Sequence, residues 1–329
     1  MKSLIKLIIA LFLLSYLLSS CRAITDKVLS LDNGERLLYL VAGFDEAAEN
    51  TDVLFTVGID KAEKTLYIAQ IPRDTYYNFG SGQNKINQYF AHLRAAGLDK
   101  AEAMEKTASA ISGLFGAELS GYIGIGIGTF RNIVDSLGGV SIYLKDDVTL
   151  QSESGGIELR AGENLIDGAA AEVLVRHRSG YARGDLGRID VQKLFLSALI
   201  SRIASGASPA ELIGIAKSLS GEVVTDMDLL EIARLVISNF ELSEDAAAYF
   251  VTVPGEAAED SRGLSYYVLN KRGAGQIAKK YMFSSGEFDE YRLCLNTDEA
   301  GFQNIYDDTS ISAREFSSED ASEIRIPVS

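Results

Sequence analysis

Five basic side chains crowd the stretch from Val173 to Lys193: Arg176, Arg178, Arg183, Arg188 and Lys193. The chain around them carries a formal net charge of −15 at pH 7. A cationic knot in an acidic protein calls for an anion held at that place. Val173 to Arg178 reads as a strand, which sends Arg176 and Arg178 to one face. A polar loop follows, and Asp185 leads into an amphipathic helix with Ile189, Leu194, Phe195, Ala198, Leu199 and Ile203 on its buried side. On the first turns of that helix Arg188 and Gln192 stand four apart, where free N–H groups and the dipole already favour an anion. Three guanidiniums meeting a helix N-terminus suit phosphate better than a single carboxylate. The competing reading is a surface loop of solvated arginines, each contributing little.

A second constellation lies near the start of the chain. Val53 to Ile59 and Leu66 to Ile71 are β-rich runs separated by a polar turn, the pattern of a hairpin. With the turn centred near residues 62 and 63, partners across the hairpin sum to about 125, which sets Asp52 opposite Arg73. Asp45 ends the preceding apolar run, Leu37 to Phe44, and arrives at the same sheet edge if the two are neighbours. Two carboxylates with room for water suit Mg²⁺, which takes few protein ligands and completes its shell with phosphate oxygens. Arginines sharing the charge of a diphosphate would then make a phosphoryl-transfer site. The plainer alternative is a cross-strand ion pair worth under about 1 kcal/mol.

Other chemistries find little support. No Ser-His-Asp or Cys-His arrangement is present, and the chain has 2 histidines. His92 falls in a helical region; His177 should face away from its arginine neighbours, and packing and catalysis both stay open for it. These grounds argue against a zinc site. The acidic balance argues against nucleic acid as a partner, because such binding needs a broad basic surface. The glycine-thinned strand Tyr122 to Ile127 offers Gly-x-Gly, but the reading places no helix directly after it to cradle a phosphate. Its glycines are expected to admit another backbone or a bulky ligand.

The elements that must carry these residues follow from periodicity. Strands alternate with helices through the middle of the chain, which predicts an α/β fold with a single mixed β-sheet flanked by helices. Asp99 with Glu102, and Ser208 with Glu211, are helix starts with capping boxes. Gly138-Gly139 ends a helix over Phe130 to Leu137, and Val140 to Leu144 is a strand. At the N-terminus Lys2 and Lys6 precede an apolar run from Leu7 to Leu18 that is short for a bilayer span and has the length of a signal-peptide core. It ends in Leu-Ser-Ser-Cys21, similar to the lipobox of bacterial lipoproteins; an uncleaved anchor is the alternative. Either reading puts the remainder outside the cytoplasmic membrane.

Taken together, Ile71-Pro72-Arg73-Asp74-Thr75, Lys85-Ile86-Asn87, Val134-Asp135-Ser136-Leu137-Gly138-Gly139-Val140 and Arg176-His177-Arg178 with Gly184-Asp185-Leu186-Gly187-Arg188 resemble the ordered motifs of the LytR-CpsA-Psr family. The resemblance implies transfer of a glycopolymer, such as teichoic acid or capsular polysaccharide, from a polyprenyl diphosphate carrier to peptidoglycan at the outer face of the cell membrane. It implies Mg²⁺ on Asp45 and Asp52, and diphosphate on Arg73, Lys85, Arg176, Arg178, Arg188 and Gln192. Arg73, Asp185 and Arg188 would be the catalytic group. Asp185 would orient or deprotonate the acceptor hydroxyl, or simply cap its helix. The matching division is 1–21 signal peptide with lipidated Cys21 or membrane anchor, 22–36 linker, 37–270 catalytic domain and 271–329 a partly flexible extension. Asp190 and Val191 stand where the family usually has other residues, and the strand at Tyr122 is glycine-rich where the family's is polar or acidic. Those departures leave open a lipoprotein that binds polyprenyl diphosphate without turnover, or a hydrolase that releases the glycan to water.

Overall fold

In Leu37–Phe44 (β1) every residue but one glycine is apolar or aromatic, LLYLVAGF, and such a strand belongs in the middle of a sheet, covered on both faces. The computed structural model describes residues 36–45, 50–60, 62–80, 84–144, 147–152, 155–176, 194–203, 208–219, 221–230, 233, 247–283 and 324–327. All of them belong to the unit that begins at Arg36. After β1 come Thr51–Asp60 (β2), Thr65–Gln70 (β3), the helices Ile86–Ala95 (α1) and Lys100–Phe115 (α2), Gly121–Gly126 (β4) and Ile127–Ser136 (α3). Four short strands follow: Val140–Leu144 (β5), Val148–Ser152 (β6), Gly155–Leu159 (β7) and Gly162–Ile166 (β8). Next are Gly168–Arg176 (α4), helical residues 194–203, Pro209–Ser218 (α5) and Val223–Thr225 (β9). The chain closes with Ala247–Thr252 (β10), Gly255–Glu259 (β11), Ser265–Leu269 (β12), Lys271–Ile277 (α6) running into a π-helical turn Ala278–Met282, and Ile324–Pro327 (β13).

The main sheet has 7 strands in the order β13-β10-β3-β2-β1-β4-β9. It is mixed, as the alternation of elements implies: β4 runs parallel to β1 and β10 parallel to β3, while β2 is antiparallel to both β1 and β3. The C-terminal ends of β1, β3, β4 and β10 therefore gather along one edge, with the start of β2 among them. Open α/β sheets commonly bind ligands at such an edge.

The two faces of this sheet differ. Leu38, Leu40, Ala42, Phe44, Leu54, Tyr67, Ala69, Val251 and Val253 form one face, and α1, α2, α6 and the π turn seal it into a dry core. The opposite face is closed over β3 and β10, where Ile68 and Phe250 are buried, but over β2, β1 and β4 its Val41, Phe55, Val57, Ile123 and Ile125 are only half-buried. Among the described residues those five belong to neither of the two large core clusters. The second large core lies elsewhere, built from α3, α4, β5 to β8 and residues 194–203.

Local chemistry explains the element ends. The capping boxes on Asp99 and Ser208 form as expected, and α2 stops at Gly116, which is left-handed at φ 61°. Helix α3 ends before Gly138, left-handed at φ 72°. It starts three residues earlier than expected, directly after Gly126, so β4 does lead straight into a helix N-terminus. Two of the β4 glycines, Gly121 and Gly124, are closed to a ligand by neighbouring side chains. A Cβ on Gly124 would lie 2.6 Å from two atoms of the Phe44 ring, and one on Gly121 would lie 2.7 Å from the Met227 sulfur. They make room for side chains.

Two further expectations change. Val173 to Arg176 is the last turn of α4, not a strand, because the apolar spacing of Ala171 and Leu174 buries one side of a helix against the second core. The boundary expected at residue 270 falls inside the packed unit: Ala274, Ile277, Ala278, Tyr281 and Met282 fill the main core, and β13 pairs with β10. Among the described residues no helix is long and apolar enough to cross a membrane. Cys21 lies outside the described residues.

Candidate functional site

The β2–β3 hairpin has the register anticipated from its turn, with Phe55 opposite Gln70 and Asp60 opposite Thr65. Beyond the last pair, Asp52 and Arg73 meet: Nη1 of Arg73 donates to Oδ1 of Asp52 at 3.0 Å. A bulge between β1 and β2 aims the carboxylate. Gly43 pairs with Val53 and Phe44 with Thr51, which leaves Asp52 as the extra residue. Thr51, fully buried, sends its hydroxyl to the carbonyl of Asn87 at 3.4 Å. Asp45 follows β1 at once. Its N–H donates to the carbonyl of Asn50, and its Oδ2 accepts from the Asn50 amide at 2.8 Å.

Arg73 is held from both sides through its own backbone. Thr75 closes a turn on the Pro72 carbonyl with its N–H and hydroxyl. On one flank the first N–H groups of α1, from Ile86 and Asn87, donate to the carbonyls of Thr75 and Arg73. Lys85, the N-cap, supplies no side-chain cap, so these loop carbonyls do that work. On the other flank β12 holds the loop, with Tyr267 N–H donating to the Asp74 carbonyl and Tyr76 N–H donating to the Tyr267 carbonyl, each at 2.9 Å. The Tyr267 phenol is pushed up to about 12, by burial above all.

Lys85 joins the cluster through Asp74, a residue the motif reading left without a role. Its ammonium lies 3.0 Å from Asp74 Oδ1, while Arg73 Nε lies 3.8 Å from Asp74 Oδ2. That last distance is too long for a hydrogen bond. Among the described residues the buried Arg73 Nε therefore has no acceptor within hydrogen-bond distance, and the buried Oδ1 of Asn87 has no donor. Three carboxylates and two cations thus line one sheet edge, with an orphaned guanidinium N–H among them. The only sequence signal for Asp74 and Asn87 was their place inside the two short motifs.

Of the remaining candidates, Arg176 pairs with Glu172, four residues earlier on the same helix. Glu172 accepts from Arg176 Nη1 at 2.6 Å through one oxygen and lies 3.1 Å from Arg131 Nη1 through the other. Its position at the end of a helix removes the shared-face argument for Arg176 and Arg178. Arg178, Asp185, Arg188 and Gln192 lie outside the described residues. Among the described residues no three His, Cys, Asp or Glu side chains gather to hold a metal. A pair of carboxylates remains, Asp45 and Asp52, each with one oxygen engaged by a neighbour. Such an all-oxygen donor set fits Mg²⁺, whose shell is completed by ligand phosphates and water.

Comparison with known proteins gives the family and the fold. The sequence pattern described as the LytR_cpsA_psr family matches residues 21–282. The chain is 26% identical over 242 residues, 72% of each chain, to the polyisoprenyl-teichoic acid–peptidoglycan teichoic acid transferase TagU of Oceanobacillus iheyensis. It is 28% identical over 188 residues to TagV of Bacillus subtilis, covering 55% of this chain and 46% of TagV. The crystal structure of B. subtilis TagV superposes with a TM-score of 0.62 at 22% identity, covering 75% of this chain and 96% of that one.

Proposed function

The chain belongs to the LytR_cpsA_psr family, and we propose that it transfers a glycopolymer from a polyprenyl diphosphate carrier to peptidoglycan, leaving a phosphodiester link. One observation carries the reading: a charged sheet edge meets a half-open apolar sheet face. Gly43, Val53 and Ile125 are paired across β2, β1 and β4 at the end of that face where Asp45 and Asp52 stand. An amphiphile with a diphosphate head and an isoprenoid tail matches both surfaces at once, head on the edge and tail along Val41, Phe55, Val57 and Ile123. TagU and TagV are named for transfer of this kind.

In this reading Arg73 and Lys85 bind the diphosphate. The orphaned Arg73 N–H is satisfied by a phosphate oxygen, a charge-assisted bond that strengthens as charge builds on the leaving group. Asp74 stands between the two cations, against Lys85 Nζ and beside Arg73 Nε, and keeps them aimed. Arg176, Arg178, Arg188 and Gln192 complete the anion site from the second half of the chain. Asp45 and Asp52 would hold Mg²⁺, which when bound offsets diphosphate charge. The acceptor hydroxyl oxygen bonds to the phosphorus that bears the glycopolymer. The bond from that phosphorus to the bridging oxygen breaks, polyprenyl phosphate leaves with the electron pair, and Asp185 takes the hydroxyl proton. Anchoring by the N-terminal segment, with acyl chains on Cys21 or as an uncleaved helix, places this chemistry at the outer membrane face where carrier and wall meet.

Incubation of the full chain with a lipid-linked saccharide, peptidoglycan glycan chains and Mg²⁺ tests the proposal. Labelled saccharide should move into the glycan with release of polyprenyl phosphate. Carrier that is bound but unconverted refutes it in favour of a binding protein, and free saccharide phosphate without glycan product refutes it in favour of a hydrolase.

A further inference from the structure

A transferase of this kind must also seat its second substrate, and the donor surfaces described so far leave that seat unassigned. Displacement at phosphorus brings the nucleophile in opposite the leaving group. With the isoprenoid tail on the half-open sheet face, the acceptor has to approach the edge from the sealed side, where α1 packs. A group of aromatic rings stands there. Tyr77 and Tyr89 lie edge to face with centroids 5.2 Å apart, Phe79 lies 5.4 Å from Tyr89, and Phe79 lies 5.0 Å from the His92 ring.

Their placement follows from the two motifs. Tyr77 and Phe79 continue the loop that begins at Arg73, and Tyr89 and His92 sit one and two turns along α1 from Lys85. The loop folds back on itself: Tyr77 N–H donates to the Asn84 carbonyl at 2.9 Å and Phe79 N–H to Asn84 Oδ1 at 3.4 Å. Asn84 makes the reversal in the left-handed region at φ 49°, which asparagine tolerates better than most residues. Tyr77 and Tyr89 rest their inner sides on the main core. None of the four rings is fully buried, and His92 is exposed. The rings of Tyr77, Phe79 and Tyr89 are thus half-buried, with part of each surface left open to solvent beside the charged edge. The chain has 0 tryptophans, so tyrosine and phenylalanine are the flat apolar faces it can offer a sugar.

We propose that Tyr77, Phe79, Tyr89 and His92 form the seat for the acceptor glycan, a β-linked N-acetylhexosamine strand whose ring C–H faces stack on them. The seat begins one helical turn, about 5.4 Å, beyond Lys85, so a stacked sugar directs a hydroxyl toward the phosphorus held at Arg73. This rests on the transfer reading for its purpose, but binding can be measured without turnover.

The test uses the full chain with Phe79→Leu, which keeps apolar volume and removes the flat ring, and Phe79→Tyr, which restores the ring. The probe is a β-1,4-linked N-acetylhexosamine tetrasaccharide, titrated while the tyrosine and phenylalanine ring signals are followed by NMR. The leucine variant should weaken tetrasaccharide binding and raise the acceptor KM about tenfold, roughly the loss of one stacking contact. The donor KM should stay within about twofold, and the tyrosine variant should recover most of the loss. Unchanged tetrasaccharide affinity and acceptor KM in the leucine variant overturn the proposal. So does a ring-dependent loss of binding to anionic phospholipid vesicles with glycan binding intact, which makes the patch a membrane contact. Ring-dependent tetrasaccharide binding in a chain that transfers nothing upholds the seat while overturning the transfer reading.

Discussion

Replacing Arg73 by alanine separates a binding role from a merely structural one, because the two assign different sizes to the same change. The side chains of Arg73 and Asp52 are 19% and 36% exposed, and they are joined by one contact of 3.0 Å. A pair that open to water contributes about 0.5–1 kcal/mol. Loss of the partly buried aliphatic stem adds roughly another 0.5–1 kcal/mol. Asp52 can rehydrate where it stands, so no stranded buried charge follows. The expected cost is about 1.5 kcal/mol, a fall in Tm of roughly 3–6 °C for a unit of this size. If the guanidinium instead holds diphosphate charge as it grows, its removal slows transfer by about 10²–10³-fold. Arg73→Lys should keep the charge but lose the fork, and so fall between. Circular-dichroism melts paired with initial rates on a lipid-linked donor read both quantities. A variant that keeps a third of the rate refutes the reasoning, as does one whose activity falls only in step with a Tm loss beyond about 10 °C.

Three further outcomes follow from the same geometry. Chelation of divalent ions should abolish transfer, and Asp45→Asn should raise the Mg²⁺ concentration giving half-maximal rate about tenfold, since one of two anionic protein ligands is lost; an unchanged Mg²⁺ dependence moves the ion elsewhere. Gly124→Ala should destabilise by about 1–3 kcal/mol through overpacking against the Phe44 ring, and adding Phe44→Leu should recover part of the loss in urea melts; equal midpoints for all three chains refute the close approach. Burial works upward on the Asp260 carboxyl, but the Leu264 and Arg262 N–H groups and the Arg262 guanidinium outweigh it and hold it down to about 2, below its ordinary 3.8. A carboxyl depressed on folding adds stability above its unfolded value and loses it as pH falls through the folded one. Unfolding midpoints should therefore drop between about pH 4 and pH 2 in the parent chain and drop less in Asp260→Asn; parallel profiles refute the assignment.

Much of the first half of the chain was legible because its signals are local. Alternation and a short polar turn fix a hairpin register to the residue, and that register alone brings Asp52 to Arg73. Capping residues mark helix starts for the same reason, since the cap bonds lie within three residues of one another. The reading failed where a segment's partner is remote. Val173 to Arg176 looks like a strand by composition, but α4 is helical because α3 and the β5–β8 strands offer its Ala171 and Leu174 a surface. The division expected at residue 270 leaves 271–283 to an extension, yet that segment closes the main core over β2 and β3. No local pattern carries that information.

The sequence by itself determined which charged groups are present, that Asp52 and Arg73 share a sheet edge, and that strands and helices alternate; that Asp45 joins them followed from the pairing of β1 with β2. Only the tertiary structure decided that Asp74 couples Arg73 to Lys85, that β12 and α1 clamp the loop between them, and that one sheet face is sealed while the other is half-open. Register and capping depend on bonds between near neighbours, which a sequence records directly. Clamping and the choice of face depend on which distant surfaces meet, and that is settled by packing the whole chain at once.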